Sequence, residues 1–160
     1  QLLSALGKLA VNHLIFTMPI SDTGHRLIAE KIRSFVQSQP EQAILIPSMG
    51  QLNYLSAMKA VDAVVGNSSS GIIEAPSFRI GTINIGKRQD GRIRAASVID
   101  CGTTEIEISQ AFARLYSPAF RKKLATVQNP FGTGGAAEKI IEILKKINYN
   151  NLIIKHFHDL

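Results

Sequence analysis

Residues 66–76 read GNSSSGIIEAP. They follow an apolar run, residues 61–65, that reads as a buried strand, and they lead into a segment that reads as a helix. A strand, then glycine and small hydroxyl residues, then a helix amino terminus is a geometry for holding an anion. The first-turn N–H groups have no intrahelical partner, and the helix dipole adds partial positive charge. Small residues let a phosphate approach the backbone closely, and Ser68, Ser69 and Ser70 each add a hydroxyl donor. Glu74 is expected about one turn into the helix, where a carboxylate can accept both hydroxyls of a ribose. Phosphate and ribose together specify a nucleotide. The plainer reading stands beside this one: serine-rich loops also serve as helix caps, and the dipole alone favours a first-turn glutamate. The order of residues excludes both a P-loop and a hydrolase nucleophile elbow.

Outward from this loop, apolar strands alternate with helices. Helices are expected at residues 2–10, 24–38, 52–60, 74–78, 107–116, 118–127 and 136–147, and strands at 13–17, 43–46, 61–65, 81–85 and 97–100. In residues 24–38, Ile28, Ile32, Phe35 and Val36 recur at the period of a helix packed on a sheet, with Asp22 or Thr23 available as its N-cap. Pro76 restricts its own helix to a short segment. This alternation predicts an α/β fold: a Rossmann-like open parallel sheet with helices on both faces. Ligands of such sheets sit beyond the carboxyl ends of the strands, where loops 19–25, 47–51, 66–71 and 86–94 would converge.

The last of these loops, GKRQDGRIRA at residues 86–95, carries Lys87, Arg88, Arg92 and Arg94. Guanidinium forks suit a phosphate or a nucleobase edge, with Arg88 the first choice as a ligand contact and Arg92 the second. A solvated basic loop is the alternative. His25, near a helix start at the same edge, is a further candidate phosphate donor, and Asp22 lies beside it. His13, His156 and His158 read as structural or tail-bound, and no spacing of histidine, cysteine and carboxylate makes a metal site. The pattern supplies a nucleotide cradle without evident catalytic machinery.

Composition sets the limits. At 160 residues, with 45% apolar and 19% charged residues, the chain is long enough for one domain and ordinary for a globular protein. No apolar run is long enough to cross a bilayer and no signal pattern opens the chain, so a cytoplasmic protein is expected. The single cysteine, Cys101, agrees and reads as a small buried hydrophobe. A net charge of +6, from 18 basic and 12 acidic residues, suits phosphorylated ligands. Nucleic acid is disfavoured because aromatic residues are not interleaved with the basic ones.

Three segments in register, GNSSSGIIEAPSF, GTINIGKRQDGRIRAASVIDC and NPFGTGGAAEKIIEIL, closely resemble the carboxy-terminal half of the hydrolysing UDP-N-acetylglucosamine 2-epimerases and their relatives acting on UDP-diacetylbacillosamine. The resemblance runs over most of the chain. It implies the second domain of a two-domain B-type glycosyltransferase (GT-B) fold, with UDP or a UDP-N-acetylhexosamine as ligand, no cofactor, a homodimer, and neither nucleic acid nor membrane as partner. It further implies that Ser68 and Ser69, with Ser70 and Gly71 at the helix start, hold the diphosphate, that Glu74 binds the ribose, that Arg88 and Arg92 approach the nucleotide, and that residues 47–55 lie by the uracil. Of the family's first loop only Ser21, Asp22, Thr23 and Gly24 match here. The family's catalytic carboxylates and a histidine belong to a first domain that these 160 residues do not contain, so the chain is expected to be a nucleotide-binding half without catalysis of its own. Residues 1–147 would be that domain, lacking its first strand, and residues 148–160 a tail that needs a partner surface. A B-type glycosyltransferase and a non-catalytic nucleotide-sugar binding module are the alternatives.

Overall fold

The computed structural model describes residues 1–9, 13–18 and 24–150. Its elements follow in the order α1 (Leu2–Gly7), β1 (Leu14–Thr17), α2 (His25–Ser38), β2 (Ala43–Ile46), α3 (Gly50–Met58), β3 (Ala63–Gly66), α4 (Ser70–Ile73), β4 (Gly81–Ile85), β5 (Val98–Cys101), α5 (Glu105–Leu115), α6 (Pro118–Leu124) and α7 (Ala136–Lys146), with a 3-10 turn at Ala75–Phe78 between α4 and β4. Every strand pair is parallel, which agrees with the alternation of strands and helices in the sequence. Within the described residues the pairing falls into two ladders, β1-β2 and β3-β4-β5.

In the second ladder β4 is central, and its residues explain the packing. Ile83 faces a core made with Ile99 of β5, Ile108, Ala111, Phe112 and Leu115 of α5, Phe120 of α6, and Ala5 and Leu6 of α1. Successive strand residues point to opposite faces, so Thr82 faces the other way, and its hydroxyl donates to the Gly71 carbonyl of α4 at 2.7 Å. Helices therefore cover both faces of this ladder. Leu14, Phe16 and Phe35 join the same core from β1 and α2, with the two phenyl rings edge to face and their centroids 5.6 Å apart. A second cluster, Met58, Ala75 and Ile80, packs α3 beneath the 3-10 turn.

Several boundaries differ from the periodicity. Helix α5 starts two residues before the expected 107, because Thr104 and Glu107 form a capping box: the Thr104 side chain accepts from the Glu107 N–H, and the Glu107 carboxylate accepts from the Thr104 N–H at 3.1 Å. The Thr104 hydroxyl, which donates to Glu107 Oε2 at 2.5 Å, and then the Thr104 N–H hold the Glu107 carboxyl below the usual carboxylate range. Thr104→Ala is expected to lower stability by about 1 kcal/mol, read as an earlier urea midpoint; an unchanged midpoint would show that the box adds nothing. At α2 the N-cap position is occupied by Gly24, with φ 83°, rather than by Asp22 or Thr23, which lie outside the described residues. Cys101 is half-buried rather than fully enclosed, and burial, followed by the charges of Glu107 and Asp100, pushes its thiol pKa up. That disfavours the thiolate and so a reactive role.

The amphipathic pattern of residues 136–147 does form a helix, α7, but it stands clear of the core. Ile140, Ile141, Ile143 and Leu144 are all exposed. Of the expected tail only residues 148–150 are described. No helix of the described residues is long and apolar enough to cross a membrane.

Candidate functional site

The loop between β3 and α4 leaves the carboxyl end of a parallel strand, the position at which open α/β sheets take their ligands. Gly66 ends the strand at φ 145°, a conformation that side-chain-bearing residues rarely adopt. Asn67 and Ser68 are exposed, Ser69 and Ser70 partly buried, and Gly71 buried against β4. The Ser70 N–H donates to the Ser68 hydroxyl at 3.3 Å, which folds the serines into one turn. Gly71 has no alternative here, because a Cβ would stand 2.6 Å from Thr82 Cγ2.

Glu74 stands about one turn beyond the helix start, as its spacing predicts, but the helix is not residues 74–78. The helical run begins at Ser70 rather than at residue 74, and Glu74 is the junction at which α4 ends and the 3-10 turn begins. Pro76 is the cause: it has no N–H to donate, and its ring disfavours the α conformation for the residue before it. The consequence is close pairing, because Ser70 and Glu74 now stand one turn apart and the Ser70 hydroxyl donates to Glu74 Oε2. A carboxylate has about four lone-pair directions, so Glu74 can hold this bond and still accept from a ligand.

Behind the junction, Asn129 of the NPFG segment donates to the Ile73 carbonyl at 2.8 Å and to the Ser77 hydroxyl at 2.7 Å. Ile73 is the last residue of α4, and its carbonyl is one that a helix end leaves without an internal partner. The third motif of the sequence thus anchors the backbone around Glu74.

The loop after β4 lies against the serine loop. Gln89, 4% exposed, donates from Nε2 to the Asn67 carbonyl at 2.7 Å. Among the four cations of this loop, Lys87, Arg88 and Arg92 are exposed, whereas Arg94 is turned inward. Arg94 Nε donates to Asp100 Oδ1 at 3.0 Å, Nη1 to the Arg92 carbonyl at 2.9 Å and Nη2 to the Gln89 carbonyl at 3.1 Å. Asp100 Oδ1 also accepts from Asn84 Nδ2 at 2.6 Å, on the neighbouring strand. Arg94 therefore organises the loop and is not one of a set of equivalent ligand-facing cations.

Ser68, Ser69, Ser70 and Glu74 thus stand together on one turn above the buried Gly71, with the loop bearing Arg88 and Arg92 fastened to it through Gln89. His25 is the half-buried first residue of α2, and Asp22 lies outside the described residues. Residues 47–51 follow β2 at the corresponding strand end. Gln89, Asn129, Thr82 and Asn84 were not singled out from the sequence. For Asn84 a signal existed: a polar residue between Ile83 and Ile85 in a strand buried on both sides needs a partner.

A parallel α/β domain with a glycine- and serine-rich loop at a strand end, a carboxylate one turn on and a basic loop alongside defines the class of open-sheet α/β proteins whose ligand edge is the carboxyl end of the strands. Within that class, residues 1–145 match the UDP-N-acetylglucosamine 2-epimerase family, and the chain belongs to it. It is 39% identical over 160 residues to the GDP/UDP-N,N'-diacetylbacillosamine 2-epimerase (hydrolyzing) of Campylobacter jejuni, covering 99% of this chain and 41% of that protein. To the UDP-N,N'-diacetylbacillosamine 2-epimerase (hydrolyzing) of Legionella pneumophila it is 34% identical over 147 residues, covering 91% of this chain and 37% of the relative. Among solved structures, the UDP-GlcNAc 2-epimerase of Neisseria meningitidis bound to UDP-GlcNAc superposes with a TM-score of 0.68 at 21% identity, over 91% of this chain and 40% of that one. The chain spans about two fifths of the length of these relatives. The fold is the α/β arrangement of this family, which is of the GT-B type.

Proposed function

We propose that this chain is the UDP-binding half of a hydrolysing UDP-N-acetylhexosamine 2-epimerase, with residues 1–147 as the binding unit and residues 148–160 as a tail. The observation that carries the reading is the continuity of Ser68, Ser70 and Glu74 in one hydrogen-bonded turn at the carboxyl end of β3. In this reading Ser68, Ser69 and Ser70, with the backbone at Gly71, receive the diphosphate, and Glu74 accepts the ribose diol. Arg88 and Arg92 approach the nucleotide, with His25 and Asp22 at the margin of the same edge. Residues 47–55 lie by the uracil.

The overall reaction is an elimination followed by a hydration. A base removes the proton at C2 of the sugar as the C1–O bond breaks, and the electron pair leaves with UDP. Water then adds its oxygen to C1, and a proton returns to C2 from the opposite face, which releases the 2-epimer as the free sugar. The contribution of this half is electrostatic: donors already in place around the diphosphate stabilise the charge that develops on the leaving group. The acid and base groups belong to the other half of the enzyme, which works as a cytoplasmic homodimer.

Calorimetric titration of the chain with UDP, against AMP as control, tests the reading. UDP is expected to bind selectively, and Glu74→Ala and Arg88→Ala are each expected to raise its Kd about tenfold, the scale of one hydrogen bond to a charged group. A folded chain that binds AMP as well as UDP would overturn the assignment.

A further inference from the structure

We infer that Gln89 is a positioning residue of the cradle, whose buried amide orients the serine loop for its anion. The inference rests on the nucleotide reading above and assigns a role to a residue that makes no ligand contact in it.

Three observations carry it. First, Gln89 is almost fully buried, yet among the described residues only one end of its amide is paired: Nε2 donates to the Asn67 carbonyl at 2.7 Å, while Oε1 is buried with no partner among them. Stability does not account for such a residue. A buried acceptor without a donor is unfavourable, and a methionine of similar length would fill the same space without one. The amide must therefore contribute something that packing does not.

Second, the atom it holds has a direct geometric effect. The Asn67 carbonyl and the Ser68 N–H belong to one planar peptide unit, and the described residues contain no cis bonds. Fixing the direction of that carbonyl fixes the Ser68 N–H in the opposite direction, away from Gln89. Asn67 itself is exposed, so without the latch water would satisfy its carbonyl equally well in other orientations.

Third, Gln89 is itself anchored. Arg94 holds the Gln89 and Arg92 carbonyls while its Nε is bound to Asp100, and Asp100 is bound in turn by Asn84. A hydrogen-bonded path thus runs from β4 and β5 through Arg94 and Gln89 to the peptide that opens the serine loop. Order in the two strands is passed to the loop that needs a defined donor direction.

The test compares Gln89→Met with the wild-type 160-residue chain in two measurements. In the ligand-free protein, amide hydrogen exchange at Ser68, Ser69 and Ser70 is expected to rise about fivefold or more, with Ile83 on the central strand unchanged, as for a local opening. In calorimetry the UDP Kd is expected to rise about tenfold, with the thermal midpoint held or raised, as for loss of one well-placed bond without loss of packing. Wild-type exchange rates in the variant overturn the inference, and so does an increase at Ile83 equal to that at the serines, which would mark a general packing role. A faster serine loop with unaltered UDP affinity also overturns it, because the latch would then not serve binding. Should Gln89→Met fail to fold, Gln89→Leu, which also removes the donor and adds no charge, is read by the same criteria. A wild-type chain without preference for UDP overturns the nucleotide reading, while the exchange measurement still decides whether Gln89 holds the loop.

Discussion

Gly71→Val is expected to lower the stability of the chain by about 3 kcal/mol, the upper end of the range for overpacking a buried site, and to abolish UDP binding. A Cβ at this position meets Thr82 Cγ2 at 2.6 Å and Val64 Cγ1 at 3.6 Å. Neither neighbour yields easily. Thr82 is 2% exposed on the central strand and is held by its own bond to the Gly71 carbonyl, and both side chains are branched at Cβ with restricted rotamers. The strain is relieved by lifting α4 from the sheet, and α4 begins at Ser70 and ends beside Glu74. Urea unfolding and UDP titration of the variant read the two effects separately. A stable variant with wild-type affinity would show that close packing of α4 on β4 does not set the cradle.

Phe112→Ala is expected to cost about 3–5 kcal/mol, the range for removing a buried phenyl ring. Phe112 is 4% exposed and belongs to the cluster that joins α5, α6 and α1 to Ile83 and Ile99. Typical domains are stable by only about 5–15 kcal/mol, so this single truncation would remove a large share of the total. The ring lies on the face of the ladder opposite Gly71. UDP affinity of the fraction that remains folded should therefore be unaltered, whereas Gly71→Val changes both quantities. A midpoint within experimental error of wild type would mean that α5 is not the helix on which the ladder depends.

These two residues show how much of the molecule local sequence carries. The strand–loop–helix at residues 61–76 was legible because each part has its own signal: an apolar run, then glycine and serines, then a proline that limits the helix. The parallel pairing followed from alternation, and the family resemblance followed from three motifs in register. What local signals misplaced was the start of the helical run, which is Ser70 rather than residue 74. Pro76 is compatible with one short helix starting near residue 74, whereas the chain makes two successive helical pieces with Glu74 at their junction.

The loop at residues 86–95 marks the boundary between the two kinds of information. It has no periodicity, and four cations in ten residues look equivalent in sequence. The fold separates them, because Arg94 is turned inward to Asp100 on β5 and two loop carbonyls while Lys87, Arg88 and Arg92 stay exposed. In the same way Gln89 reads as one polar residue in a polar run until β3 and β4 pair and bring it to Asn67, 22 positions earlier. Sequence by itself determined the α/β class, the parallel strands, the serine loop and the resemblance, because each rests on neighbours a few positions apart or on whole motifs. Tertiary structure alone decided which cation organises the loop and which amide meets the Asn67 carbonyl, because those depend on contacts between segments that no local pattern records.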